Sequence, residues 1–230
     1  MFFGPGSLNI SQQDSESLTV HAPTYVMSDI VTEVKGGVLE VGYRSPPVTP
    51  IEVMREVISF DLAVKDIGNI SVLGRGLVQV PDFDSDTLAL DISGSGKVRL
   101  EHLTADKLEV SIRGSGSLTA QGDVETQLID LQGSGSYEAD HLVSDFVRIL
   151  LGGTGSIAVS VLDELDVTIR GSGQVIYHGF PDVSRSVLGN GCLLRRQLTK
   201  EIHKQGEDHC LLYTSPSPRD AHESRMPSSA

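Results

Sequence analysis

The chain has 230 residues and a net charge of −13 at neutral pH, with ordinary apolar content and no tryptophan. Its length suits one large domain or two small ones, and its acidity argues against nucleic acid and anionic membrane surfaces, which both need a basic patch. No stretch is long and apolar enough to span a bilayer, and Met1-Phe2-Phe3-Gly4-Pro5 lacks the charged start and apolar core of a signal peptide.

Residues 1–66 read as a strand-rich part that caps or extends one end of a larger unit. Ser7-Leu8-Asn9-Ile10 follows Gly4-Pro5-Gly6, and strands are expected at Leu18–Val20, Ile30–Val34 and Val38–Val41. Gly36-Gly37 between the last two reads as a hairpin turn. Arg44 to Pro50 is a proline-rich loop, and Val57 to Val64 alternates again.

From residue 67 to 196 a repeat takes over. Gly-x-Gly triplets begin at Gly74, Gly94, Gly114, Gly133, Gly153, Gly171 and Gly189, at steps of 20, 20, 19, 20, 18 and 18 residues, and close at Gly76, Gly96, Gly116, Gly135, Gly155, Gly173 and Gly191. A fixed period signals stacked units, each burying its apolar face only against its neighbours. Before each triplet the alternation has period 2: Leu88, Leu90, Ile92; Leu108, Val110, Ile112; Gln127, Ile129, Leu131; Val147, Ile149, Leu151; Leu165, Val167, Ile169. That is a strand with one buried face, and no 3.6 period competes with it. After the triplets come Val98 and Leu100, Leu118 and Ala120, Tyr137 and Ala139, Ile157 and Val159, Val175 and Tyr177. Each coil therefore reads as strand, Gly-x-Gly corner, second strand, and a short return carrying Leu103, Leu142 or Leu162. The expected fold is all-β: a single right-handed β-solenoid with coils of about 18–20 residues.

The corner glycines carry structural meaning only. A sharp bend between strands favours φ > 0, which costs a residue with Cβ about 1–2 kcal/mol. Small residues, Ser95, Ser115, Ser134, Thr154 and Ser172, fill most central positions; Arg75 begins the series and Asn190 ends it. Eight residues before the triplets stand Asp86, Asp106, Glu125, Asp145 and Asp163, a like-charge column if stacked. Turn-forming, solvated aspartates explain it, against the sharper alternative of a Ca²⁺ site, which so sparse a column would fill only with added water and carbonyls.

Catalytic motifs do not emerge. A dinucleotide fingerprint opens a helix, whereas these triplets open strands; Gly94-Ser95-Gly96-Lys97 lacks Walker spacing, and a hydrolase elbow needs Gly-x-Ser-x-Gly. His21, His102, His141, His178 and His203 have no metal-ligand spacing. No acidic pair for glycoside hydrolysis stands out from the repeat.

The segment Leu165-Asp166-Val167-Thr168-Ile169-Arg170-Gly171-Ser172-Gly173-Gln174-Val175-Ile176-Tyr177-His178-Gly179-Phe180-Pro181 resembles the closing coil of a bacterial family, the putative auto-transporter adhesin head GIN domain. Ser7 to Tyr43 resembles its opening segment, with Gln12-Gln13-Asp14 and Thr32-Glu33-Val34 in order, and the likeness spans residues 3–196. It implies a β-helical domain of exported or cell-envelope proteins and no catalytic residue. The family also shows a strand before Phe3 and an export leader further upstream, so the chain is expected to be truncated at its start.

Residues 197–209 form a polar bridge of unassigned origin, and residues 210–230 read as the in-frame translation of a transposon-based sequencing adapter. Cys210 belongs to that stretch, leaving Cys192 without an internal disulfide partner. The expected function is a non-enzymatic envelope or surface module for binding or adhesion, with no cofactor. Its partner is a protein or polysaccharide, or a second copy in a homo-oligomer, and not nucleic acid. The alternatives are a structural or regulatory envelope domain without an external ligand and, further off, a β-helical polysaccharide-active enzyme.

Overall fold

The computed structural model describes residues 1–43 and 58–196. The Arg44–Pro50 loop, Val57, the 197–209 bridge with His203 and the tail with Cys210 lie outside the described residues. The fold is nearly all β, a solenoid of about 6 turns whose strands join one 15-stranded sheet.

The amino-terminal part comprises β1 (Phe2–Phe3), β2 (Ser7–Gln12), β3 (Ser17–His21), a 3₁₀ turn at Met27–Asp29, β4 (Ile30–Lys35), β5 (Val38–Tyr43) and β6 (Ser59–Val64). β4 and β5 form the expected antiparallel hairpin, with Lys35 opposite Val38 and positive φ at Gly36 and Gly37. The repeat follows as β7 (Asn69–Gly74), β8 (Leu77–Gly94), β9 (Lys97–Gly114), β10 (Ser117–Gly133), β11 (Ser136–Leu151), β12 (Ser156–Ile169), β13 (Gln174–His178), β14 (Asp182–Val187) and β15 (Cys192–Arg195).

Strand order departs from chain order at the amino end. β1 pairs in parallel with β5 on one side and β7 on the other, and β2 sits likewise beside β6 and β8. The first twelve residues are thus a coil of their own, slotted between the coil that β5 and β6 supply and the first repeat. Gly4-Pro5-Gly6 is its corner: Gly4 N–H donates to Leu73 O, and Leu77 N–H donates to Gly6 O at 3.0 Å. Beyond it, β3 lies antiparallel on β6 and β4 antiparallel on β5, closing this end of the stack. The amino-terminal strands therefore both extend and cap the stack.

Parallel pairing in register stacks like on like. Val41, Phe2, Val72, Ile92, Ile112, Leu131, Leu151 and Ile169 form one interior column, none more than 2% exposed. Fully burying such a side chain contributes about 1.5–3 kcal/mol, so the columns are the main source of stability. All the inward residues read from the period-2 pattern before the triplets are buried, Gln127 among them.

The structure differs from the expected coil in two ways. First, the return is not a break: β8, β9 and β10 run on through it as bent strands, because most residues there pair with the neighbouring coils. Second, Leu162 is not an interior residue. It is 53% exposed, while Val161 is fully buried in its place. Coil shortening causes this: Val159 aligns with Ala139 but Ser160 aligns with Val143, and Leu162-Asp163 then stands opposite Asp145 alone. Leu162 is the extra residue of a β-bulge and turns outward.

Candidate binding surface

Each coil has three outer faces: the first before the Gly-x-Gly corner, the second after it, and the third along the return. The corner is a column of stacked backbone. Ser95 and Ser115 N–H donate at 2.8 Å to the carbonyls of Gly74 and Gly94, and Thr154 N–H donates at 2.8 Å to that of Gly133. φ is positive at Gly74, Gly94, Gly114 and Gly133, but not at Gly153, Gly171 or Gly189, nor at any second glycine of these triplets. At those positions close approach replaces dihedral freedom as the reason for glycine. A Cβ at Gly153, Gly171 or Gly189 would stand 2.0, 2.1 or 2.3 Å from the glycine carbonyl of the previous coil. The second glycines, buried from Gly76 to Gly173 and half-buried at Gly191, meet the interior column instead: a Cβ at Gly116 would lie 2.5 Å from Ile92 Cγ2, and one at Gly191 2.5 Å from Ile169 Cγ2. Gly96, Gly135, Gly155 and Gly173 are crowded in the same way.

One glycine escaped the repeat count. Gly122 has φ +128°, and a Cβ there would meet Leu103 O at 2.1 Å. It sits where the register slips by one residue, with Ala120 opposite Leu100 and Gly122 opposite Leu103. The single step of 19 residues is absorbed here, and that odd step was its signal in the sequence.

The second face carries a row of polar residues, Lys97, Ser117, Ser136, Ser156 and Gln174, in register on successive coils. The first face mixes charged and apolar groups: Glu109, Leu128, Arg148 and Asp166 form one row, with Arg148 Nε 3.2 Å from Asp166 Oδ2. A shallow hollow lies there between Asp91, Glu109, Arg113 and Arg148. The third face is acidic. Asp86, Asp106, Glu125 and Asp163 are exposed and Asp145 half-buried, and Lys107 turns away to Glu109. Among the described residues no group of three or more His, Cys, Asp or Glu could hold a metal ion. His102 pairs with Asp82 at 3.2 Å, His141 with Asp140 at 3.6 Å and His21 with Asp61 at 3.2 Å. His178 is buried at the end of β13 with Nδ1 unpartnered.

Inside the stack the three faces meet in one polar cluster. Tyr137 from the second face donates its hydroxyl to Gln127 Oε1 of the first at 2.7 Å, and Gln127 Nε2 donates to Ser144 Oγ of the third. All three are at most 1% exposed, and burial pushes the Tyr137 phenol far above its ordinary pKa. A glutamine in an apolar register was its visible mark in the sequence; its partners were not visible there.

A family model described as "Putative auto-transporter adhesin, head GIN domain" matches residues 1–181, stopping short of the terminal strands β14 and β15. A structure named a putative adhesin from Bacteroides fragilis is 22% identical, covering 86% of this chain and 90% of that one with a TM-score of 0.73. One named a putative lipid binding protein from Parabacteroides distasonis is 22% identical, covering 85% and 90%, with a TM-score of 0.69. A putative adhesin from Parabacteroides merdae is 21% identical over 85% and 90%, with a TM-score of 0.67. Likeness at these identities concerns the fold, and no curated protein matches the chain. With the family model covering most of the sequence and the glycine-cornered solenoid beneath it, the chain belongs to the auto-transporter adhesin head GIN domain family.

Proposed function

We propose that this chain is a non-enzymatic binding module of the bacterial cell envelope, adhesion-like in mode, which presents its flat outer faces to a protein or polysaccharide. The observation that carries this reading is the in-register row Ser117, Ser136, Ser156 and Gln174. Such a row repeats hydrogen-bonding groups at the strand spacing of about 4.8 Å, an array suited to an extended ligand and poorly suited to one reacting bond. The carboxylates of the third face stand on an open flank rather than across a cleft. Family membership supports the envelope location. A lipid, which the name of one structural neighbour mentions, would have to bind outside the stack, because the interior columns are filled by side chains.

The test is saturable binding of fluorescently labelled full-length chain to arrays of bacterial envelope proteins and polysaccharides, with competition by unlabelled chain. A folded chain that binds nothing would favour a structural envelope domain. Release of new reducing ends from a bound polysaccharide would make it an enzyme and refute the proposal.

A further inference from the structure

The third face changes character where the coils shorten from 20 residues to 18. Along its first three coils the outward side chains are polar or proline, as at Asp82, Asp84, Glu101, Thr104 and Asp123. Opposite Asp140, His141 and Leu142 the next coil has no counterpart, and the flank steps inward. The step leaves Phe146 41% and Leu162 53% exposed, while Val183, in register with the buried Leu165 on the last strand of this face, is 39% exposed at the end of the stack. A hollow opens there, lined by Phe146, Asp163, Glu164, Asp182, Val183 and Ser184. Phe146, Glu164 and Asp182 stand in register on three successive coils. Among the described residues no lysine, arginine or histidine lines the hollow.

We infer that this step is a docking site for a basic amphipathic segment of a partner protein. The inference rests on reading the chain as a binding module and says where a protein partner engages it. Charge complementarity selects the occupant: a hollow that sets three carboxylates around the Phe146 ring fits a lysine or arginine. Its aliphatic stem lies along Phe146 while its cationic head meets Asp163, Glu164 and Asp182. Phe146 adds a ring face for the cation. The acidic remainder of the flank steers such a partner towards the step and repels anionic lipid. Flanking apolar residues of the segment cover Leu162, the most exposed apolar group of the patch.

The test is fluorescence anisotropy with the full chain, a labelled peptide alternating Lys and Leu, and a Glu–Leu peptide of equal length, at physiological ionic strength. The variants are Phe146→Ser with Leu162→Ser, and Asp163→Asn with Glu164→Gln. Asp82→Asn with Asp84→Asn removes the same charge from the far end of the flank, and thermal melting checks that each variant folds. If the first pair fails to fold, Leu162→Ser alone takes its place. The expected result is that each variant at the step weakens Lys–Leu binding about tenfold or more, as loss of a central anchor does, while the distant pair changes it less than about twofold. Equal weakening by the distant pair would mean diffuse charge attraction, and equal binding of the Glu–Leu peptide would mean unspecific apolar adhesion. A dimer in solution that dissolves in the Phe146→Ser, Leu162→Ser variant would assign the patch to a second copy. Each of these outcomes overturns the docking site. Array binding that survives in that same variant would leave the envelope-binding reading standing, so the two fail separately.

Discussion

Tyr137→Phe removes one oxygen from the interior and leaves its neighbours unable to compensate. The Tyr137 hydroxyl is the donor to Gln127 Oε1 at 2.7 Å, and Tyr137, Gln127 and Ser144 are closed to solvent. Without it a buried amide oxygen loses its partner, which costs about 1–3 kcal/mol. For a domain of this size each kcal/mol lowers Tm by roughly 2–4 °C, so the variant melts several degrees below the parent. Gln127→Leu should cost at least as much, because it strands two hydroxyls at once. The combination Tyr137→Phe, Gln127→Leu, Ser144→Ala behaves differently. It places a leucine between Leu108 and Val147, the in-register neighbours of Gln127, and leaves no polar atom of the cluster behind. Replacing every member of a buried polar network by apolar groups is close to neutral or stabilising. The combined variant should therefore recover most of the stability each single exchange loses, with coupling energies of about 0.5–3 kcal/mol between members. Urea unfolding followed by circular dichroism reads this directly, provided the m-values stay constant. Tyr137→Phe within about 0.5 kcal/mol of the parent, or a combined variant as unstable as the sum of its parts, would refute the argument.

The same phenol governs behaviour in alkali. The unfolded chain ionises it near pH 10 while burial holds it protonated in the fold, so stability is intact below about pH 10 and falls above it by up to roughly 1.4 kcal/mol per pH unit. An ultraviolet titration should show one tyrosine that ionises only on unfolding and that vanishes in Tyr137→Phe; simultaneous ionisation of all tyrosines in the folded chain would contradict this. Gly122→Ala combines a positive φ with a Cβ 2.1 Å from Leu103 O and should cost about 2–4 kcal/mol in urea unfolding; a loss under about 1 kcal/mol would mean the bulge relaxes freely. Val161→Asp buries an unpaired carboxylate and should abolish folding. The adjacent Leu162→Asp should shift stability by less than about 0.5 kcal/mol, and the reverse order would place the bulge one residue away.

Period-2 alternation phased on glycine was enough to orient the strands that flank each corner from Leu88 to Ile169, though not the return at Leu162, because in a stacked β architecture the inward register repeats from coil to coil. Glycine at each corner was legible for the same reason, although its cause was only half legible. A positive φ is a local property, whereas the Cβ that would strike Ile92 Cγ2 from Gly116 belongs to another coil. Leu162 was misplaced because counting forward from Gly153 assumes a full return, and the residues lost opposite Asp140–Leu142 show only in the pairing. The cluster of Tyr137, Gln127 and Ser144 depends on three faces closing around one point, which no single strand encodes. The amino-terminal order is the furthest from local reading: β1 lies between β5 and β7, and parallel strands of similar pattern give no hint of their neighbours. Sequence by itself determined the fold class, the coil length and most of the buried face, since these follow from periodicity within a strand. Only the tertiary structure decided which strands are neighbours, where the flank steps inward and which buried polar groups meet, since each depends on contacts between residues a whole coil or more apart.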